Sequence, residues 1–223
     1  MTVLAQARAL IDWEWIVDHA DEIWERTVEH LTLTGIALGV GFVMSVGLSL
    51  VALGYRSAYP PITWTAGILY TIPSLALFAL LIPFTGLSTL TAEIGLVSYT
   101  LLILIRNMVA GIDGVPPSVK EAAAGMGYTR RRRFWQVEVP LAVPAVVAGL
   151  RIASVTTVGL VTVTAIIGQG GYGFFILGGL NTFFVTEILV GVGLSVALAT
   201  ILDLGFVWLG RRLTPWATRR ATV

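Results

Sequence analysis

The sequence predicts an all-α membrane protein with five transmembrane helices, its N-terminus outside and its C-terminus in the cytoplasm. The first observation is compositional: 56% of the 223 residues are hydrophobic and only 12% are charged, with a mean hydropathy of +0.86. A soluble domain carries roughly 25% charged residues, so too few charges remain here for a water-facing surface. The second is the presence of five segments that approach the ~20 apolar residues a helix needs to cross the hydrocarbon core. They are Leu31–Leu53, Thr63–Ile82, Leu90–Ile105, Ala142–Ile167 and Glu187–Leu209. The third is the placement of basic residues. With the N-terminus outside, Arg56, Arg106, Lys120, Arg130–Arg133, Arg211, Arg212, Arg219 and Arg220 fall on the cytoplasmic side, 11 of the 14 Lys and Arg in the chain. The excess of Lys and Arg in cytoplasmic loops fixes that orientation.

Residues 1–30 form an extracytoplasmic or interfacial N-terminal region. Asp12, Glu14, Asp18, Asp21, Glu22, Glu25 and Glu29 make it too acidic for a cleavable signal peptide, and Arg8 and Arg26 are its only basic residues. Trp13–His30 reads as a short helix with Trp13, Ile16, Ile23 and Trp24 among the acids. It is either an interfacial helix with tryptophans at headgroup depth or a docking surface for an external partner. The transmembrane domain follows, residues 31–213. The second span contains Pro73, which interrupts the hydrogen-bond ladder and either opens a local cavity or packs as a kink. The third is marginal in length and carries Glu93 near its outer end. The fourth holds Arg151 and the fifth Asp203, charges that either pair with each other or snorkel to the cytoplasmic surface. Gly168–Thr186, rich in Gly and Phe, is either an extracellular loop or a re-entrant turn. Residues 214–223 are a cytoplasmic tail.

Several function classes are disfavoured. There is no cysteine, and His19 and His30, both placed outside the spans, are the only histidines, so neither a catalytic cluster nor metal-ligand spacing appears. No phosphate-binding Gly-x-x-x-x-Gly-Lys-Ser/Thr loop occurs, so nucleotide chemistry is not expected in this chain.

The long polar connection Arg106–Pro140 is the most informative stretch. Pro116 and Pro117 stop the arriving helix. Ser118 followed by Glu121 fits a capping box, Ala122, Ala123 and Ala124 give a slim helical surface, and Gly127 supplies a left-handed stop. Thr129 is placed to cap a second, basic helix, Arg130–Glu138, with Pro140 ending it. The first helix is a narrow knob suited to a groove on a soluble partner. The tetra-arginine run fits either that partner or anionic lipid.

The spacing Glu121-Ala122-Ala123, three residues, Gly127, nine residues, Val137, one residue, Val139-Pro140 resembles the Glu-Ala-Ala loop of binding-protein-dependent ABC importer permeases, with Val in place of Ile and of Leu. The resemblance implies the type I importer permease fold, with Ser118, Glu121, Ala122, Ala123, Gly127 and Pro140 forming the coupling site for an ATPase. His30–Thr34, Ile72–Leu77, Ile82–Gly86, Arg106–Ile112, Glu138–Pro144 and Ile167–Gly173 are similar to the osmoprotectant branch, which carries quaternary amines such as glycine betaine, choline and carnitine. Tyr172 departs from the Leu expected there and sits where a gate would lie. The resemblance further implies two ATPase copies that hold ATP and Mg, a second permease chain, identical or homologous, an extracytoplasmic binding protein, and no nucleic acid or cofactor on this chain. Aromatic faces hold quaternary ammonium groups, so Tyr70, Phe78 and Tyr99, with Pro73 at the interrupted helix and Glu93 as an outer acid that attracts a cation, are the candidate solute pathway. Packing between helices or against lipid is the plainer role for the aromatic residues. An importer for another small solute, such as methionine, and a non-transporting membrane scaffold are the alternatives.

Overall fold

Hydrocarbon offers no water to backbone amides, so a spanning segment must satisfy them internally. The computed structural model, which describes residues 11–218, does so with helices, and no strand occurs among the described residues. Arg8, Arg219 and Arg220 lie outside the described residues.

The helices are α1 (Trp13–Asp18), α2 (Ala20–Gly54), α3 (Tyr59–Thr71), α4 (Ser74–Thr85), α5 (Thr89–Asp113), α6 (Pro117–Gly125), α7 (Arg130–Arg133), α8 (Val139–Val163), α9 (Gly173–Thr182), α10 (Val185–Leu213) and α11 (Pro215–Thr218). Four helical stretches are long and apolar enough to cross a membrane: α2, α5, Arg130–Ile167 and α10. The fifth span is present only as the broken pair formed by Arg56–Thr71 and α4.

That pair corrects the straight span expected over Thr63–Ile82. The chain bends by 99° at the break, where Pro73 has an extended ψ of 135° and starts α4 without any side-chain cap. The proline removes a donor and restricts Ile72 before it, so the helix stops and restarts. The other spans are longer than hydropathy suggests. At 35 residues, α2 is about 52 Å long at 1.5 Å per residue, well beyond the ~30 Å hydrocarbon core. Its acidic first turns therefore belong outside the core. The single helix expected over Trp13–His30 is instead α1 plus the start of α2, separated at His19, and His30 is fully buried on the spanning helix. α5 runs on through Arg106 to Asp113, which corrects the expected end at Ile105. It is also the most enclosed span, with 61% of its apolar window buried against 17% for α10.

The chain divides into two compact units, each drawing on parts of the four long spans. In the first (described residues 11–37, 72–96 and 156–200), Phe78, Leu96, Val158, Val161 and Phe175 are fully buried. The segment after α8 folds back onto α2 there. Glu29 Oε1 accepts from the Gly170 N–H at 3.0 Å, and His30 Nδ1 accepts from the Tyr172 N–H at 3.3 Å. The Tyr172 and His30 rings stack with centroids 4.5 Å apart, and Arg26 lies 4.0 Å over the Phe174 ring. Tyr172 is thus packed against α2. The Gly168–Thr186 connection contains a helix, α9, so it is not a plain loop.

In the second unit (described residues 38–71, 97–155 and 201–218), Leu104, Met108 and Ala153 form a core joined by Leu38, Phe42, Val46, Val146 and Leu150. α5 and α8 approach so closely that a Cβ on Gly111 would lie 2.9 Å from the Ala145 Cβ and 3.1 Å from the Ala142 carbonyl oxygen. Small residues permit such contact between spanning helices. Arg151 resolves the alternatives left by its sequence position. Its Nε and Nη2 donate to the two Asp203 oxygens at 2.7 and 2.9 Å, joining α8 to α10 by a bidentate pair.

Two outcomes follow for stability. Gly111→Val is expected to lower the thermal midpoint of the detergent-purified protein by an overpacking penalty of about 1–3 kcal/mol. Gly47→Ala, where nothing lies within 4 Å of the added Cβ, leaves the midpoint unchanged or higher. Arg151→Leu alone strands Asp203 and lowers the midpoint, whereas Arg151→Leu with Asp203→Leu recovers most of it, because removing both charges leaves none unpaired.

Candidate coupling and translocation sites

The connection between α5 and α8 is ordered as a chain of fastened helices. α5 ends at Asp113, and Pro116, with ψ 137°, leads into α6. Pro117 occupies the first helical position, where a missing N–H costs nothing. This corrects the expected capping box. The helix starts one residue before Ser118, so Ser118 is already helical and no side chain caps this end. Ser118, Glu121, Ala122 and Gly125 are exposed and share one stripe at helical spacing. Ala123, by contrast, is 1% exposed and faces inward, so it supports the helix rather than its outer surface.

The far end of α6 follows the glycine expectation. Gly127 has φ +81°, the Tyr128 N–H donates to the Ala123 carbonyl at 3.1 Å, and the Gly127 N–H to that of Ala124 at 2.9 Å. These are the two bonds of a Schellman stop. Thr129 then caps α7, its Oγ1 accepting from the Arg132 N–H at 3.3 Å.

Pro140 does not end the basic helix. Helical structure is continuous from Arg130 to Ile167, with a five-residue π-helical segment, Phe134–Glu138, just before Pro140. A wide turn of this kind accommodates a break in the i→i−4 ladder, and Pro140 lacks the amide that such a ladder would use.

Sequence reasoning did not single out the contacts that hold these pieces together. Glu138, 6% exposed, accepts from Arg133 Nε at 2.8 Å and faces Lys120 Nζ at 4.0 Å. Lys120 Nζ also donates to the Ile112 carbonyl at 3.1 Å, at the C-terminal end of α5, where a cation complements the helix dipole. Arg56 donates to both oxygens of Asp113, through Nη1 at 2.9 Å, tying the turn after α2 to the same end of α5. α6 is thereby fastened both to α5 and to the approach to α8. A lone acid two residues before a proline, within a basic and apolar stretch, was the available signal.

The pathway candidates fall in both units, Tyr70 and Tyr99 in the second and Pro73, Phe78 and Glu93 in the first. Tyr70 and Tyr99 meet edge to face with ring centroids 5.8 Å apart. Phe78 is 1% exposed and packs on Gly95, so close that a Cβ there would lie 2.4 Å from its ring, which makes it a core residue. Pro73 shapes the break before α4. Glu93 is 9% exposed, and neither carboxyl oxygen has a hydrogen-bond partner among the described residues, whereas buried polar groups are normally paired.

Residues 37–216 match the family described as binding-protein-dependent transport system inner membrane component. The chain is 33% identical over 204 residues to the osmoprotectant import permease protein OsmW of Salmonella typhimurium, covering 89% of this chain and 93% of that protein. It is 32% identical over 207 residues to the choline transport system permease protein OpuBB of Bacillus subtilis, covering 93% and 95%. Its fold is similar to an inward-facing form of the MetNI methionine ABC transporter, with a TM-score of 0.76 over 91% of this chain and 98% of that one; at 21% identity the likeness concerns the fold alone. With the apolar spans, the family match and the fold in agreement, the chain belongs to the family of inner-membrane permease components of binding-protein-dependent ABC importers.

Proposed function

We propose that this permease carries quaternary-ammonium osmoprotectants, such as glycine betaine, choline and carnitine, inward across the plasma membrane. The observation that carries this reading is the extent of the likeness to permeases named for osmoprotectant and choline transport, which runs over about nine-tenths of the chain. In this reading the chain is not itself an enzyme. Two ATPase subunits supply ATP and Mg chemistry, two permease chains, identical or homologous, line the pathway, and an extracytoplasmic binding protein delivers the solute.

The exposed stripe of α6, including Ser118, Glu121 and Ala122, enters the ATPase, while Ala123, Gly127 and the continuous helix through Pro140 set its angle and stiffness. Closure of the ATPase pair moves α6. Lys120 and Glu138 pass that displacement to the ends of α5 and α8, which turns the pathway from one side of the membrane to the other. In the pathway, the Tyr70–Tyr99 pair offers aromatic faces to a trimethylammonium group, and the unpartnered Glu93 draws a cation from the outer side.

Uptake of radiolabelled choline, glycine betaine, carnitine and methionine is measured in cells lacking their own osmoprotectant importers and expressing the complete system. Accumulation of the quaternary amines and not of methionine is expected. Methionine uptake alone would replace the substrate assignment, and absence of any uptake would favour a scaffold. Glu93→Gln lowers choline uptake at subsaturating concentration by several-fold, since one attractive charge is worth about 1 kcal/mol or more near a membrane. Unchanged affinity and rate would remove Glu93 from the pathway. For coupling, the permease is co-purified with its cognate ATPase. Glu121→Lys with Gly127→Asp abolishes retention of the ATPase, and equal retention by wild type and variant would contradict the docking role of α6.

A further inference from the structure

The four arginines of α7 differ in what they do. Arg132 donates from Nε to Gln136 Oε1 at 2.9 Å and lies 4.3 Å over the Tyr128 ring. Arg133 is paired with Glu138. Arg130 and Arg131 are exposed and have no carboxylate partner among the described residues.

Both line a pocket of about 810 Å³ together with Arg56, Lys120 and Arg133. Only two carboxylates answer these five cations, Glu138 in the wall and Asp113 on Arg56, so three positive charges are left over. The rest of the wall is apolar: Leu50 and Leu53 from the last turn of α2, Ile112 from the last turn of α5, Tyr55 and Phe134. These residues stand where two spans reach the cytoplasmic leaflet, because the distribution of Lys and Arg places this end of the protein inside.

A soluble anion has no use for an apolar wall at the end of a span, and a hydrocarbon chain has none for uncompensated arginines. An amphiphile with a phosphate head uses both. Guanidinium groups bind phosphate oxygens two at a time, and basic pockets between spanning helices on the cytoplasmic side suit anionic headgroups. We propose that this pocket is a binding site for an anionic phospholipid of the inner leaflet. The phosphate faces Arg130 and Arg131, and the first acyl carbons lie against Leu50, Leu53 and Ile112. The site lies beside α6, so a bound headgroup would hold the coupling segment at a defined depth in the interface.

The full-length chain, purified in detergent, is titrated with phosphatidylglycerol or phosphatidylcholine and bound lipid is read by native mass spectrometry. Wild type is expected to retain phosphatidylglycerol in preference to phosphatidylcholine. Arg130→Gln with Arg131→Gln weakens that binding roughly thirtyfold, at about one phosphate-facing charge each. Arg211→Gln with Arg212→Gln, the same charge removed elsewhere, leaves it within about twofold. Arg130→Lys with Arg131→Lys restores most of it, which separates loss of charge from loss of fold. Equal phosphatidylglycerol binding by wild type and the Gln pair would overturn the proposal. So would displacement of the lipid by excess inorganic phosphate, which would mark a site for free phosphate. Unchanged lipid binding with loss of ATPase retention in the Gln pair would assign the arginines to the protein partner and overturn it as well.

Discussion

Glu138 carries a carboxylate into a nearly closed position at the end of the α5–α8 connection, and the arrangement there follows from neutralising it. A buried charge stripped of its partner costs several kcal/mol, so Arg133 and Lys120 are held close to it. Lys120 belongs to α6 and Arg133 to α7, while Glu138 itself leads directly into α8. One carboxylate therefore binds three consecutive helices. Separating Lys120 or Arg133 from Glu138 would leave the buried carboxylate with less compensating charge. The order of α6, α7 and the start of α8 relative to one another thus rests on these ion pairs as well as on the helicity of the alanines.

The prolines show how the same chain tolerates interruptions. Pro117 starts α6 at the one helical position where its missing donor is harmless. Pro73 lies between α3 and α4 and divides them. Pro83 and Pro144 sit inside α4 and α8. Each proline frees a backbone carbonyl, and in hydrocarbon such groups survive only where protein or local changes of helix type satisfy them. The Arg151–Asp203 pair obeys the same rule for side chains. Each charge is tolerable because the other is present in bidentate contact.

Much of this was legible in the residues. The class and four of the five spans follow from hydropathy, because the cost of exposing polar groups to lipid is large and nearly independent of detail. Gly127 and Thr129 were legible for a local reason, since a left-handed stop and a threonine cap depend on little beyond their neighbours. The Ser118–Glu121 capping box was not realised because Pro117 started the helix first. Span ends were misplaced because hydropathy reports the hydrocarbon boundary, whereas helices such as α2 and α5 continue past it into water. Pro140 misled because a π-helical turn can absorb a proline. Glu138 escaped notice because its importance lies in long-range partners, and spacing alone does not show that Lys120 returns to it across a turn.

The π-helical segment has a consequence for the phase of the helix. Each residue turns an α-helix by about 100°, so an extra residue within one turn rotates everything before it relative to everything after it. Phe134–Glu138 therefore acts as a phase shifter between the arginines and α8. The apolar stripe of α8 is set by its packing against α5, and the wide turn lets Arg130–Arg133 take a different azimuth from the one that a uniform α-helix would impose. Two surfaces with incompatible solvents, one facing lipid and protein and the other facing charge and water, can then share a single unbroken rod.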